Sequence, residues 1–203
     1  MTTSDFDARA NEWDTPDRLF RAQVLAEVIR RHVPLDPSMR AIDIGAGTGL
    51  LGLAVATSVG SMVLAEPSAG MLDVARAKLA TGAWPGVSAV RFDLTTDPPP
   101  AGGFDLAVSL LVLHHVEDTA AALAAIHALL APGGRIALID LDAEDGSFHD
   151  PDAPGIHHRG FERDRIVELA QQAGFLDLAT HTATEIEREG RQYPLFLLTG
   201  HRP

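Results

Sequence analysis

The sequence predicts a doubly wound α/β fold with a mainly parallel sheet and helices on both faces, and three observations predict it. Short apolar runs alternate with stretches of helical periodicity from Arg40 onward. A glycine-rich turn, Gly45-Ala-Gly47-Thr-Gly49, joins the first apolar run to a buried helix. The second and third runs end at acids, Glu66 and Asp93, where ligands of such sheets lie beyond the carboxyl ends of the strands.

Each element follows from local chemistry. Thr15 before Pro16 is an N-cap with proline at the first helical position, and Leu19, Phe20, Val24, Leu25, Val28 and Ile29 then fall on one face. That helix ends near His32, ahead of Pro34. Strands are expected at Arg40–Ile44, Met62–Ala65, Val87–Phe92, Phe104–Leu110 and Arg135–Leu141. Ser68 and Asp118 are positioned to cap the helices that carry Met71, Leu72, Ala75 and Leu79, and Leu123, Ile126, Leu129 and Leu130. Asp97–Gly103 is a turn-rich loop, and Pro132-Gly133-Gly134 ends a helix. Phe161–Ala173 is a helix closed by Gly174. Leu178–Ile186 and Tyr193–Thr199, separated by Glu189-Gly190, suggest an antiparallel pair.

Composition bounds the function. The chain has 203 residues, 46% of them apolar, enough for one sizeable core, and residues 1–203 read as one domain. Within it, residues 1–35 form an N-terminal helical lid and residues 142–160, rich in acids, prolines and histidines, a candidate substrate loop. A net charge of -12 without a basic run leaves nucleic acid and anionic membranes no electrostatic footprint, so a small molecule is the expected partner. Cysteine is absent, which excludes disulfides and thiol catalysis. The polar, acidic opening MTTSDFDARANEWD does not read as a secretory signal and no segment reads as a membrane span, so the cytoplasm is the expected location.

The glycine loop narrows the ligand. A dinucleotide fingerprint spaces its glycines G-x-G-x-x-G, whereas this loop is G-x-G-x-G with Asp43 two residues ahead. A carboxylate there opposes a pyrophosphate and suits a ligand with an ammonium and a sulfonium. Glu66 is placed to accept both hydroxyls of a ribose. Asp93 is placed to accept from an adenine amino group, with Leu94 beside the ring; acids that merely cap strand ends are the alternative for both.

With these residues assembled, the chain resembles the class I S-adenosylmethionine-dependent methyltransferases of small-molecule type over nearly its whole length. AIDIGAGTGLLGL, LAEPSAGML, RFDL, FDLAVSLLVLHHV and LLAPGGRIALID match the family's motifs in order. The resemblance implies a seven-stranded sheet in the order 3-2-1-4-5-7-6 with strand 7 antiparallel, and S-adenosylmethionine as cofactor. It carries cofactor contacts onto Asp43, Gly45, Gly47, Gly49, Glu66, Asp93, Leu94 and the backbone around Ser109 and Leu110. ANEWD resembles the family's entry motif with Trp13 in place of tyrosine, where an indole face beside the sulfonium would add roughly 1 kcal/mol and shut out water. Ordinary packing of Trp13 is the alternative.

In-line methyl transfer needs mainly positioning, but a hydroxyl or protonated amine also needs a base. Histidine is the natural one near neutral pH, and His114, His115, His157 and His158 are the candidates. His114 and His115 follow the fourth strand; His157 and His158 lie in HHRGF, which resembles a stretch that shapes the acceptor site in small-molecule members. Asp140, Asp142, His149, Asp150, Asp152, His157 and His158 show no ordered metal-ligand spacing, and no metal is expected. The expected function is methylation of a small molecule at O, N or C. A non-methylating binder of the same cofactor is the alternative, and a nicotinamide oxidoreductase is disfavoured by Asp43 and the glycine spacing.

Overall fold

A computed structural model describes residues 3–98, 103–150 and 153–203. The Asp97–Gly103 loop therefore lies partly outside the described residues, as does Asp152. The strands are β1 (Arg40–Ile44), β2 (Ser61–Glu66), β3 (Val87–Arg91), β4 (Phe104–Leu110), β5 (Leu130–Leu141), β6 (Leu176–Arg188) and β7 (Arg191–His201). They form one sheet in the order β3-β2-β1-β4-β5-β7-β6. β1 to β5 pair in parallel, and β7 runs antiparallel to both β5 and β6. The helices are α1 (Thr3–Arg9), α2 (Pro16–His32), α3 (Leu50–Ala56), α4 (Ala69–Leu79), α5 (Thr119–Leu129) and α6 (Arg163–Gln172), with 3-10 turns at Ala10–Glu12 and Leu113–His115.

The two-residue alternation of the central strands divides the core into two layers. Ala41, Leu106, Val108 and Ile139 pack with Leu25 of α2, Leu53 of α3 and Ala75 of α4. Ile42, Ile44, Ala107 and Leu138 pack with Leu123 of α5 and Ile166 of α6. Each fully buried aliphatic side chain contributes roughly 1.5–3 kcal/mol, so the sheet's two faces supply most of the fold's stability.

The expected caps form: Thr15 Oγ1 accepts from the Arg18 amide, Ser68 Oγ from Met71 and an Asp118 carboxylate oxygen from Ala121. Glu189 and Gly190 both have positive φ, 53° and 75°, the backbone that lets a two-residue turn follow the twist of its strands.

Some expectations are corrected. Leu19 and Phe20 are 45% and 72% exposed, because α2 turns only Ala22, Leu25, Ala26, Val28 and Ile29 inward. Phe92 falls just past β3, and the last helix starts at Arg163, because Phe161 is engaged in a parallel bridge with Asp142. Pro132-Gly133-Gly134 lies within β5, where the pairing with β4 shifts between Phe104 and Leu106. The last two strands are longer than expected, with register shifts on β6 absorbing the irregular stretches.

Candidate functional site

A cavity of about 1020 Å³ lies beyond the carboxyl ends of β1, β2 and β4, at the upper end of the roughly 300–1,000 Å³ typical of ligand sites. A recess of about 320 Å³ bordered by Thr3, Arg91 and Asp97 adjoins it at Asp93. The glycine loop forms its floor. Gly45 and Gly47 have φ of 64° and 56°, a left-handed backbone that glycine adopts without penalty. A Cβ on Gly45 would stand 2.5 Å from Val112 Cγ2, whereas one on Gly47 would meet only Trp13 Nε1, at 3.8 Å. Gly49 is different: it starts α3 at φ 87° and packs against Leu64, and it does not line the cavity.

Three of the expected acids reach the cavity, each already holding backbone. Asp43, 1% exposed, accepts from the Gly52 amide at 2.8 Å. Burial pushes its carboxyl up to about 8; the Gly52 hydrogen bond opposes the rise and the nearby Glu66 carboxylate adds to it. Glu66 Oε2 accepts from Gly47 and Oε1 from Ser68, at 2.7 and 2.9 Å. Burial raises the Glu66 pKa too, against those two amides and with the help of Asp7 and Asp93. Asp93 is partly buried; its Oδ1 accepts from the amide and hydroxyl of Thr95, which shapes the loop after β3 beside Leu94. These acids face a glycine cradle with no side-chain cation hydrogen-bonded to Asp43 or Glu66 among the described residues, a set of acceptors that fits a ribose and a positively charged ligand.

The entry segment covers the cradle. Asp7 of α1 accepts from the Ser68 hydroxyl and the Gly70 amide at 2.5 and 2.8 Å. Asp14 accepts from the Thr48 hydroxyl and pairs with Lys78 Nζ at 2.5 Å, while Lys78 also donates to the Thr48 carbonyl. The sequence's one lysine thus ties the entry segment to the glycine loop, a role its composition did not suggest. Trp13 lines the cavity, with Arg18 stacked 4.0 Å above its ring and Phe6 edge-on at 5.6 Å. An indole face expected beside a sulfonium is therefore covered by a guanidinium, while Leu25, Ala26, Val28, Ile29 and Val33 of the expected lid belong to the core.

On the far wall, after β4, Leu111 takes a positive φ of 57° and the chain turns into the 3-10 turn Leu113–His115. His114 is 1% exposed; its Nδ1 lies 2.6 Å from Asp140 Oδ1 and its Nε2 has no hydrogen-bond partner. His115 and His149 pack beside it, with ring centroids 4.1 and 5.1 Å from the His114 ring. Burial, then the neighbouring His114, depresses His115 to about 3 and His149 to about 4, so both are neutral imidazoles near pH 7. His115 Nδ1–H donates to the Gly155 carbonyl at 2.8 Å.

The other expected residues are placed elsewhere. His157 is exposed, and its amide donates to the His114 carbonyl. His158 Nε2 is 3.0 Å from the Val116 carbonyl and 3.1 Å from Thr119 Oγ1, so it braces the turn below the cavity. Neither lines the cavity: HHRGF runs behind the His114 backbone. Ser109 donates its hydroxyl to the Ile44 carbonyl and stitches β4 to β1, leaving Leu110 as the residue of that pair at the cavity wall. Asp140 and His149 were weighed in the sequence only as metal ligands, and Phe6 and Arg21 were not singled out at all. The remaining signal for Asp140 was its place at the carboxyl end of β5, and for His149 its place in the 142–160 loop. Among the described residues no group of three or more histidines and acids has the geometry to hold a metal, and no helix is long and apolar enough to cross a membrane.

The family profile described as "Methyltransferase domain" matches residues 18–180. An uncharacterized methyltransferase of Mycobacterium tuberculosis is 33% identical over 98 residues, 48% of each chain, so this chain spans about half the length of such curated relatives in the match. An O-methyltransferase of Pyrenophora dematioidea is 29% identical over 177 residues, covering 80% of this chain and 66% of that one. The crystal structure of an S-adenosylmethionine-dependent methyltransferase from Aquifex aeolicus superposes with a TM-score of 0.71 at 16% identity, over 97% of this chain and 98% of the other. The matched profile, the strand order and the glycine cradle with its acids converge on one assignment: the chain belongs to the class I methyltransferases, enzymes whose methyl donor is S-adenosylmethionine.

Proposed function

We propose that this chain methylates a small molecule at a proton-bearing oxygen or nitrogen, with His114 as the general base and Asp140 as the residue that positions it. The observation that carries this reading is the buried His114–Asp140 pair on the cavity wall, with His114 Nε2 unpartnered. The Asp140 carboxylate accepts the Nδ1 proton and so leaves the lone pair on Nε2, the tautomer a base requires. The Pyrenophora relative named an O-methyltransferase supports oxygen as the acceptor atom.

When bound, S-adenosylmethionine supplies a methyl carbon already activated by its sulfonium. The chain's own residues have three tasks. Glu66, Asp93, Leu94, Asp43, Gly45 and Gly47 all line the cavity; in this reading Glu66 would hold the ribose hydroxyls, Asp93 with Leu94 the adenine, and Asp43 with the Gly45–Gly47 backbone the cationic end. Phe6 and Trp13 exclude water from above. His114 Nε2 would accept the proton that the acceptor atom loses as it is methylated.

Calorimetric titration with S-adenosylmethionine and S-adenosylhomocysteine, with NAD as control, tests the cofactor assignment. Micromolar binding of the first two without NAD supports it; binding of NAD alone overturns it. Formation of S-adenosylhomocysteine with an acceptor panel, lost in His114→Gln, tests the base; unchanged turnover removes His114 from that role. Cofactor binding without methyl transfer to any acceptor favours the non-methylating reading.

A further inference from the structure

One arginine of α2 differs from the others at the cavity. Four arginines line the cavity: Arg9, Arg18, Arg21 and Arg188. Arg188 donates to the Phe148 carbonyl and pairs with Asp150. Arg18 donates to the Trp13 carbonyl and covers its ring, and Arg9 lies 5.5 Å from the ring centroid of the same indole. Arg21 is half-buried, yet it makes no hydrogen bond, ion pair or ring stack among the described residues. Asp17, one helical turn earlier, is outside ion-pair distance, and Glu187 across the cavity accepts from Gln192. A guanidinium withdrawn from water without an acceptor is a cost the fold bears without visible return.

Its position separates it from the cofactor cradle. β6 runs parallel to β5, because both are antiparallel to β7, so Arg188 lies at the same edge as the carboxyl ends of β1 to β5. α2 runs the opposite way, and its lower end is fixed by the stack of His32 on His181 at 3.8 Å. From His32 back to Arg21 is about 16 Å of helix at 1.5 Å per residue. From His181 up to Ile186 is also about 16 Å, at roughly 3.3 Å per residue of strand. Arg21 therefore stands level with Ile186, while Arg18, on Trp13, is the guanidinium next to the glycine loop. The lining of the same cavity also includes Ala22, Ile186 and Phe148, apolar groups that would strengthen a charge pair by excluding water.

We propose that Arg21 is the anion-binding residue of the acceptor subsite, and that the molecule methylated here carries a carboxylate. A lone guanidinium with both fork nitrogens free matches the two oxygens of a carboxylate, whereas a phosphate calls for more donors than this wall presents. The inference rests on the reading of this cavity as a methyltransferase site and adds the acceptor's class to it.

The test uses the full chain loaded with S-adenosylhomocysteine and a ligand-observed NMR screen of matched pairs, aromatic and aliphatic carboxylic acids beside their carboxamides. The expected result is that acids bind about tenfold more tightly than their amides, that Arg21→Gln removes the preference, and that S-adenosylhomocysteine affinity changes less than about twofold. Should Arg21→Gln unfold, Arg21→Lys, which keeps the charge and loses the fork, is expected to weaken the preference. The proposal is overturned if acids are not preferred, or if the preference survives in both variants. It is equally overturned if Arg21→Gln weakens S-adenosylhomocysteine but not 5′-methylthioadenosine, because the anion held is then the cofactor's own carboxylate. Failure of S-adenosylhomocysteine to bind would defeat the cofactor assignment separately, and the acid preference is then read on the unliganded protein with the same panel.

Discussion

Asp140 Oδ1 lies 2.6 Å from His114 Nδ1, with both side chains only 1% exposed, although 26 residues separate them in the chain. The contact crosses from the turn after β4 to the carboxyl end of β5, neighbouring strands of the sheet. It makes Asp140 a positioning residue with a measurable signature. Asp140→Ala removes the acceptor that holds the imidazole proton on Nδ1. Nitrogen-detected NMR is expected to show that proton redistributed toward Nε2, and turnover is expected to fall about 10²-fold or more at little-changed cofactor affinity. An unchanged tautomer with lost activity would assign Asp140 a purely structural role.

Asp43 should make stability and cofactor binding respond to pH in opposite ways. Its folded pKa, about 8, lies above the ordinary value of 3.8, so the folded chain holds this proton more tightly than the unfolded chain. The stabilising contribution is therefore complete below about pH 4 and lost as pH rises through about 8. Asp43→Asn keeps an acceptor for the Gly52 amide and removes the titration, so it should raise the melting temperature at pH 8 relative to pH 5 by at least roughly 2 °C against the parent. The same variant should lose most cofactor affinity. In the parent, binding near pH 7 should release a proton, read as a buffer-dependent enthalpy in calorimetry.

The neutral histidines predict the opposite trend at lower pH. His115 and His149 are depressed to about 3 and 4 by burial and by their histidine neighbours. The unfolded chain binds their protons first, near pH 6.5, so stability contributed by these groups is present above that pH and falls as pH drops toward 4. His149→Gln should flatten the fall in melting temperature between pH 6.5 and 4; a slope equal to the parent's would show that His149 carries none of it.

Two glycines of one loop should separate folding from binding. Gly47→Ala meets only the left-handed backbone penalty, roughly 1 kcal/mol, equivalent to about 2–4 °C for a chain of this size. Its methyl stands beside Trp13 at the cavity, so S-adenosylhomocysteine affinity should fall at least about tenfold. Gly45→Ala adds a 2.5 Å clash with Val112 and should cost clearly more stability, roughly 2–4 kcal/mol in all. Equal melting temperatures for the two variants would contradict the cradle geometry.

The sequence by itself determined the layers and the cradle. Thr15, Ser68 and Asp118 act as caps through bonds to amides three residues on, and the strands declare themselves by apolar runs; such signals depend on neighbours within a few positions. The glycines at 45 and 47 were legible for the same reason, since a positive φ is a property of one residue. Only the tertiary structure decided among the four expected histidines, bringing His114 and His115 to the cavity and leaving His157 and His158 behind the turn. It also brought in Asp140, His149 and Arg21, whose environments are built from β5, the 142–160 loop and the end of β6. Whether an imidazole or a guanidinium finds a partner depends on elements joined across the sheet, and no local spacing encodes that; the exposed Leu19 and Phe20 of α2 show the same limit for packing.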